Sequence, residues 1–345
     1  MLALSGMHFE PQDENELEEW LSRPLPGVAE ALAGLDGDLL VLGAGGKMGP
    51  TLARMARRAL PADRRVLAVS RFSSAAAARQ LEAHGVQTLA CDLLDRAALE
   101  RLPDAPNVVF MAGHKFGSSE APGLTWRMNA VLPALVAERF AGARTVVFST
   151  GCVYPFLPVE SGGAREDTLL DPPGEYAYSC IARERLFAEA SHRLGTPCLM
   201  FRLNYAIDLR YGVLHDIARK IWTGEPVDVT SGHVNVIWQG DACARALQCL
   251  AHTSMPSAIL NVTGRETLAV RALAEQLGEL LGRAPQFTGR EAPTAWLADA
   301  GKSIDWFGEP TVGIDRMLEA TAAWIRRGGA SLGKPTHFES RDGRF

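Results

Sequence analysis

The sequence predicts an α/β fold, a doubly wound parallel sheet followed by a smaller C-terminal lobe. Short apolar runs alternate with helical patterns from residue 38 to residue 204. The runs are continuously apolar rather than alternating, as in strands covered on both faces. After Leu203 the alternation weakens into short strands mixed with helices. The chain has 345 residues, 47% hydrophobic and 22% charged, which sustains a sizeable core without staples.

Residues 1–12 read as an irregular arm, and Asp13 to Glu19 as a short acidic helix with a solvated face. A second short helix runs from Val28 to Leu35. Leu39–Leu42 is the first strand, with a helix through Ala59. Strands follow at Val66–Val69, Thr88–Cys91, Val108–Met111, Thr145–Phe148 and Cys198–Leu203. Helices at Ala75–His84, Asn129–Phe140 and Tyr178–Leu194 separate them. In the second lobe short strands fall near Val227–Val229 and Val234–Ile237, with helices at Leu268–Leu281 and Ile314–Ile325. Trp222, Trp238, Trp296, Trp306 and Trp324 read as core of that lobe. The polar tail from Gly333 to Phe345 reads as a closing arm. The division is a helical arm 1–37; a dinucleotide-binding domain 38–204, to which 232–264 returns; a substrate lobe 205–231 and 265–330; and a tail 331–345.

A net charge of −5 argues against nucleic acid as a partner. The six cysteines, without a CxxC pair, read as reduced buried thiols. The histidines lack metal-ligand spacing, so no metal is expected. No leader or membrane-length apolar run is visible, and the expectation is a cytoplasmic protein.

Leu39 to Gly49 reads LLVLGAGGKMG, with Gly43, Gly46 and Gly49 at GxxGxxG spacing and Gly45 between them. Glycines between a strand and a helix permit a tight turn, backbone approach to a pyrophosphate and close helix packing. The turn Gly43–Gly49, with Lys47 and Met48, is thus a candidate dinucleotide site. After the second strand stand Ser70 and Arg71, where an acid would hold a ribose 2′-hydroxyl. Arginine attracts a 2′-phosphate, so NADP is the first expectation and NAD the second. Asp92 and Leu93, after the third strand, are adenine-side candidates; Asp92 reads equally as a helix cap.

These residues resemble the extended short-chain dehydrogenase/reductase family, the NAD-dependent epimerase/dehydratase group, from Asp38 to Ile325. The glycine turn is similar to that family's motif. Phe110-Met111-Ala112-Gly113 resembles its cofactor-lining fourth strand, Asn129 its structural asparagine, and Phe148 to Tyr154 its catalytic Ser/Thr segment, with Thr150 at the reactive position. Arg202-Leu203-Asn204-Tyr205 resembles its RxxN segment, Val234 to Asp241 its strand and helix cap with Asp241 as cap, and Leu260 to Gly264 also fits. The resemblance implies a Rossmann-type fold, a bound NAD(P) and a homodimer.

The family carries Tyr-x-x-x-Lys on a helix. Tyr176 takes the tyrosine position, and Cys180 stands where the lysine belongs. A thiol supplies neither the charge nor the donors. Arg183, three residues further on the same face, can reach back toward the gap, Lys115 can enter from the loop after the fourth strand, and oxidised nicotinamide itself carries charge. Thr150 would hold the substrate oxygen, Asn204 would face substrate, and Arg210 could hold a carboxylate. His215 reads as a surface or interface residue. Gly151-Cys152 lacks the acid–base pair that dehydration needs, and Val234 stands where a phosphate-clamping Arg is common in the family. The resemblance thus implies an NAD(P)-dependent oxidoreductase or epimerase acting on a hydroxyl-bearing carbon of a small sugar-like molecule: a sugar, sugar acid or lactone, or a nucleotide sugar. The alternative is a non-catalytic NAD(P)-binding regulator or scaffold.

Overall fold

A computed structural model describes residues 10–344, so the first nine residues of the expected arm and Phe345 lie outside the described residues. Seven parallel strands form the central sheet: β1 Leu39–Leu42, β2 Val66–Ser70, β3 Gln87–Ala90, β4 Asn107–Phe110, β5 Arg144–Thr150, β6 Cys198–Leu203 and β7 Ala258–Val262. Their order is β7-β6-β5-β4-β1-β2-β3. The sheet reverses direction of growth at β1/β4, where Leu39 pairs with Val66 on one side and Asn107 on the other. Ligands of such sheets bind at that switch point, beyond the strands' carboxyl ends.

All four residues of β1 are buried, because each face has a helical layer. Leu39 and Val41 pack with Leu52 and Met55 of α3 (Gly49–Ala59) and with Leu247 of α10 (Gln239–Gln248). Leu40 and Leu42 point the other way, toward Leu132 and Val136 of α7 (Leu132–Arg139) and Phe187 of α8 (Glu175–Leu194). Two-residue alternation thus feeds two cores from one short strand. The remaining helices of this half are α4 (Ala75–Ala83), α5 (Arg96–Glu100, capped by Asp95) and α6 (Pro122–Trp126). Helix α8 begins three residues before the expected start, which puts Tyr176 inside its first turn.

The second core belongs to α9 (Val213–Thr223), α11 (Val270–Leu281) and α13 (Ile314–Arg326). Helix α1 (Glu14–Leu21) joins it through Leu17 and Leu21, while α2 (Val28–Ala33) lies on the sheet layer. The acidic helix is more than a solvated face: Glu19 pairs with Arg54 at 2.5 Å and Arg58 at 2.6 Å. Three further expectations are corrected. Asp241 is not the cap of α10; it lies inside the first turn and accepts from the Thr311 and Val312 backbone N–H groups at 3.0 and 3.3 Å. His215 is buried, within reach of the Leu209 carbonyl and Ser331. Trp306 packs against the sheet core and stacks on His252, and Trp296 packs with Phe156, Cys152 and Ala177, instead of either entering the C-terminal core. All six cysteines are buried and unbridged, and no helix among the described residues is long and apolar enough to cross a membrane.

A buried ion pair joins α8 to the sheet. Arg202 of β6 meets Glu184 at 2.6 Å, with their side chains 2% and 7% exposed. Ser149 of β5 donates to Glu184, and Arg202 donates to Tyr154 Oη at 2.7 Å, which in turn donates to Asn261 of β7 at 2.7 Å. Removing one member strands a buried charge. Arg202→Met is therefore expected to lower unfolding free energy by about 3–5 kcal/mol in a denaturant titration, and Arg202→Met with Glu184→Leu to recover much of it. A single variant as stable as the parent would contradict this account.

Candidate active site

The glycine turn is shaped by what lies against it. Gly43 has φ +91, and a Cβ there would stand 2.6 Å from the Ala112 backbone nitrogen. A Cβ on Gly49 would stand 2.3 Å from the Ala44 carbonyl oxygen. Only glycine lets β1, β4 and α3 approach this closely. The turn then points the N-terminus of α3 into the space above the sheet, which suits a pyrophosphate. Ser70 lies against Gly45, and Arg71 follows β2 with its side chain exposed. Asp92 caps its own turn, accepting from Leu94 N–H at 3.0 Å. Leu93 is buried in the core beneath the sheet.

A cavity of about 400 Å³ opens at the switch point. Gly43, Gly46, Lys47, Met48, Gly49, Met111 and Gly113 line its cofactor side, and Lys115, Thr150, Tyr176, Arg183 and Asn204 the other. Sequence reasoning thus chose residues from five separate segments that meet in one space. Ala112 sits just behind the wall, packed on Gly43. Asn129 also stands behind it, in a π-helical turn, Arg127–Val131, between α6 and α7. Its amide group is fully used: Oδ1 accepts from His114 N–H at 2.9 Å and Arg183 at 2.7 Å, while Nδ2 donates to the His114 carbonyl and Ser179 Oγ, both at 2.9 Å.

Arg183 brings a cation to the cavity wall that Tyr176 also lines. Its guanidinium reaches toward the helix N-terminus, donating to the Phe148 carbonyl at 2.8 Å as well as to Asn129. The side chain is 6% exposed and lines the cavity beside Tyr176; Nε is buried without a hydrogen-bond partner. Burial pushes the Tyr176 phenol well above the ordinary tyrosine value, the Cys180 and Cys152 thiols add to that, and the Arg183 charge pulls it back. Lys115 Nζ stands 5.8 Å from the Tyr176 ring centre, and burial lowers its pKa. Thr150 Oγ1 accepts from Cys152 N–H at 3.1 Å, which leaves its own proton to donate into the cavity.

Arg210 is not a substrate ligand. Its guanidinium is held by Asp208 at 2.6 Å, Glu18 at 2.7 Å and Glu14 at 3.5 Å, and ties α1 to the second lobe. The sequence reading missed two features of the cavity. The Lys47 ammonium lies between two rings, 3.3 Å from the Tyr211 centroid and 3.9 Å from that of Phe116. The tail adds Lys334 and Thr336 to the lining, with Thr336 bonded to Asp216 through N–H at 2.7 Å and Oγ1 at 2.6 Å. The closing-arm pattern was visible in the sequence, but not where it lands.

No curated protein sequence matches the chain. Among solved structures, a tyrosine-to-phenylalanine mutant of UDP-glucuronic acid 4-epimerase from Bacillus cereus, in complex with UDP-4-deoxy-4-fluoro-glucuronic acid and NAD, superposes with a TM-score of 0.69 at 19% identity. The match covers 84% of this chain and 99% of that one. UDP-glucose 4-epimerase from Thermus thermophilus, complexed with NAD, gives 0.69 at 21% identity with the same coverage. Pal from Bacillus thuringiensis gives 0.70 at 16%, also over 84% and 99%. At these identities the likeness shows a shared fold. The sequence itself matches the model of the NAD dependent epimerase/dehydratase family over residues 39–231. That span holds the glycine turn, Asn129, Thr150, Tyr176 and Arg183, and the chain belongs to this family of enzymes.

Proposed function

We propose that the protein transfers hydride between a nicotinamide dinucleotide and a hydroxyl-bearing carbon of a small sugar-like substrate, as an oxidoreductase or as an epimerase. The carrying observation is Arg183, fixed by Asn129 and the Phe148 carbonyl inside the cavity that continues from the glycine turn. Gly43, Gly46 and Gly49 present backbone without side chains to the cavity, so the residues fit the cofactor. A bound nicotinamide supplies reversible hydride acceptance. Tyr176 takes the hydroxyl proton as the C–H bond breaks and returns a proton on reduction. Arg183 stabilises the phenolate and offers donors on the cofactor side. Thr150 donates to the substrate oxygen and holds it near Tyr176. In epimerisation the same pair of transfers occurs on opposite faces of one carbon. The neighbouring structures in complex with NAD and UDP-sugars support this reading.

The cofactor preference proposed is NADP, from Arg71 and the missing acid after β2. The neighbours are complexed with NAD, which keeps it as the second choice.

When purified protein is mixed with NADP or NAD and a panel of sugars, sugar acids and lactones, a rise in absorbance at the reduced-nicotinamide band identifies the oxidoreductase, and substrate conversion without a rise identifies the epimerase. Tyr176→Phe is expected to lower turnover by about 10²–10⁴-fold while cofactor binding is retained. Because the Tyr176 pKa is raised, the phenolate that acts as base grows with pH; oxidation should quicken toward about pH 9, and the variant should lose that slope. A fully active variant would remove Tyr176 from the mechanism. Separately, Arg71→Ala should weaken NADP more than NAD, and equal weakening would end the NADP assignment.

A further inference from the structure

The charges lining the cavity are all of one sign. Lys47, Lys115, Arg183 and Lys334 face it, and no Asp or Glu among the described residues lines it. The lysines come from three distant segments: the glycine turn, the loop after β4 and the tail. Arg183 is spoken for by Asn129 and Phe148. Lys47 and Lys334 make no ion pair among the described residues. The nearest carboxylate of note, Asp216, is engaged by two hydrogen bonds from Thr336. Burial, with repulsion from Lys115 and Lys334, brings Lys47 down to about 6. Two aromatic faces soften that cost but leave its N–H donors without an acceptor.

The direction of Lys47 matters. Its side chain does not lie along the turn's backbone. It stands between Phe116, from the loop after β4, and Tyr211, just before α9. The tail closes the same side. Leu332 N–H donates to the Arg210 carbonyl at 3.0 Å. Phe338 is 1% exposed, Arg341 donates to the Thr294 carbonyl at 2.6 Å, and a Cβ on Gly343 would meet Pro173 at the start of α8. Lys334 and Thr336 of this strap form part of the cavity wall. The roughly 400 Å³ of cavity must also admit the nicotinamide end of a cofactor, which leaves room for a group the size of one sugar.

We propose that Lys47, with Lys115 and Lys334, forms an anion subsite that holds the carboxylate or phosphate of a small acidic substrate without a nucleotide. This rests on the hydride-transfer reading above and narrows its substrate class to sugar acids and sugar phosphates. The anion supplies the acceptor that the Lys47 ammonium lacks and restores its charge.

Calorimetric titration of the NAD-saturated protein with D-glucuronate, D-glucose 6-phosphate, D-glucose and UDP tests this. At least one charged sugar is expected to bind about tenfold or more tightly than glucose, the worth of one charge-assisted hydrogen bond. Lys334→Met and, separately, Lys47→Met should each reduce that ratio. At about pH 7.5 binding should take up a proton, read from the dependence of the enthalpy on the buffer, and Lys47→Met should abolish the uptake. Equal affinity for charged and neutral sugars, a ratio unchanged in both variants, no binding of either charged sugar, or UDP as the tightest ligand would each overturn the proposal. NAD binding, measured first, separates the two claims: a protein that binds neither NAD nor NADP overturns the hydride-transfer reading, and the sugar comparison is then read on the unliganded protein.

Discussion

The ion pair between Arg202 and Glu184 sets the frame for the site. Both charges are out of water, so their attraction is useful only while the geometry is kept. Ser149, Tyr154 and Asn261 complete the polar shell, and through them β5, β6 and β7 share one fixed point with α8. Glu184 follows Arg183 directly. Once Glu184 is pinned against the sheet, the neighbouring position on the helix turns toward the strand ends. Tyr176, seven residues and nearly two whole turns earlier, projects along the same line as Arg183. The orientation of the reactive face thus depends on a pair that takes no part in the chemistry.

That geometry also explains how the helix tolerates cysteine where the family has lysine. Cys180 is wholly buried and fills space. The cation enters from one turn further along on a longer side chain, and helical side chains lean toward the N-terminus. The guanidinium is planar and branched, so it can hold Asn129 and Phe148 and still face the cavity.

Much of this was legible in the sequence. Apolar runs of four to six residues, spaced by helical patterns, could only be a covered parallel sheet. The glycine spacing marked its switch point. Helix geometry put Arg183 among three candidates for the missing charge, beside Lys115 and the oxidised nicotinamide. What escaped had no local signal. Arg210 looked available because two of its three partners, Glu14 and Glu18, are nearly two hundred residues away, and nothing in the sequence marked the nearby Asp208 as folded back onto it. Asp241 looked like a cap because it opens a helical pattern, yet its acceptors serve a loop seventy residues on. Lys47 was recognised as part of a turn, but the rings that enclose it come from two other segments. The polar tail could be read as an arm; the burial of Phe338 that anchors it is set by tertiary packing alone.

The π-helical turn at Arg127–Val131 places Asn129 where a regular helix would not. Such a turn carries one residue more than its α-helical counterpart, so it is in effect an insertion that the helix has absorbed. The helix is thereby phased in two halves: α6 answers to the loop before it, and α7 to the sheet. Deleting a single residue here would restore textureless regularity and rotate one half against the other by about 100°. Either Asn129 would lose the His114 backbone and Arg183, or Leu132 and Val136 would leave the core. The length of this helix is therefore under a constraint of counting, separate from any on composition.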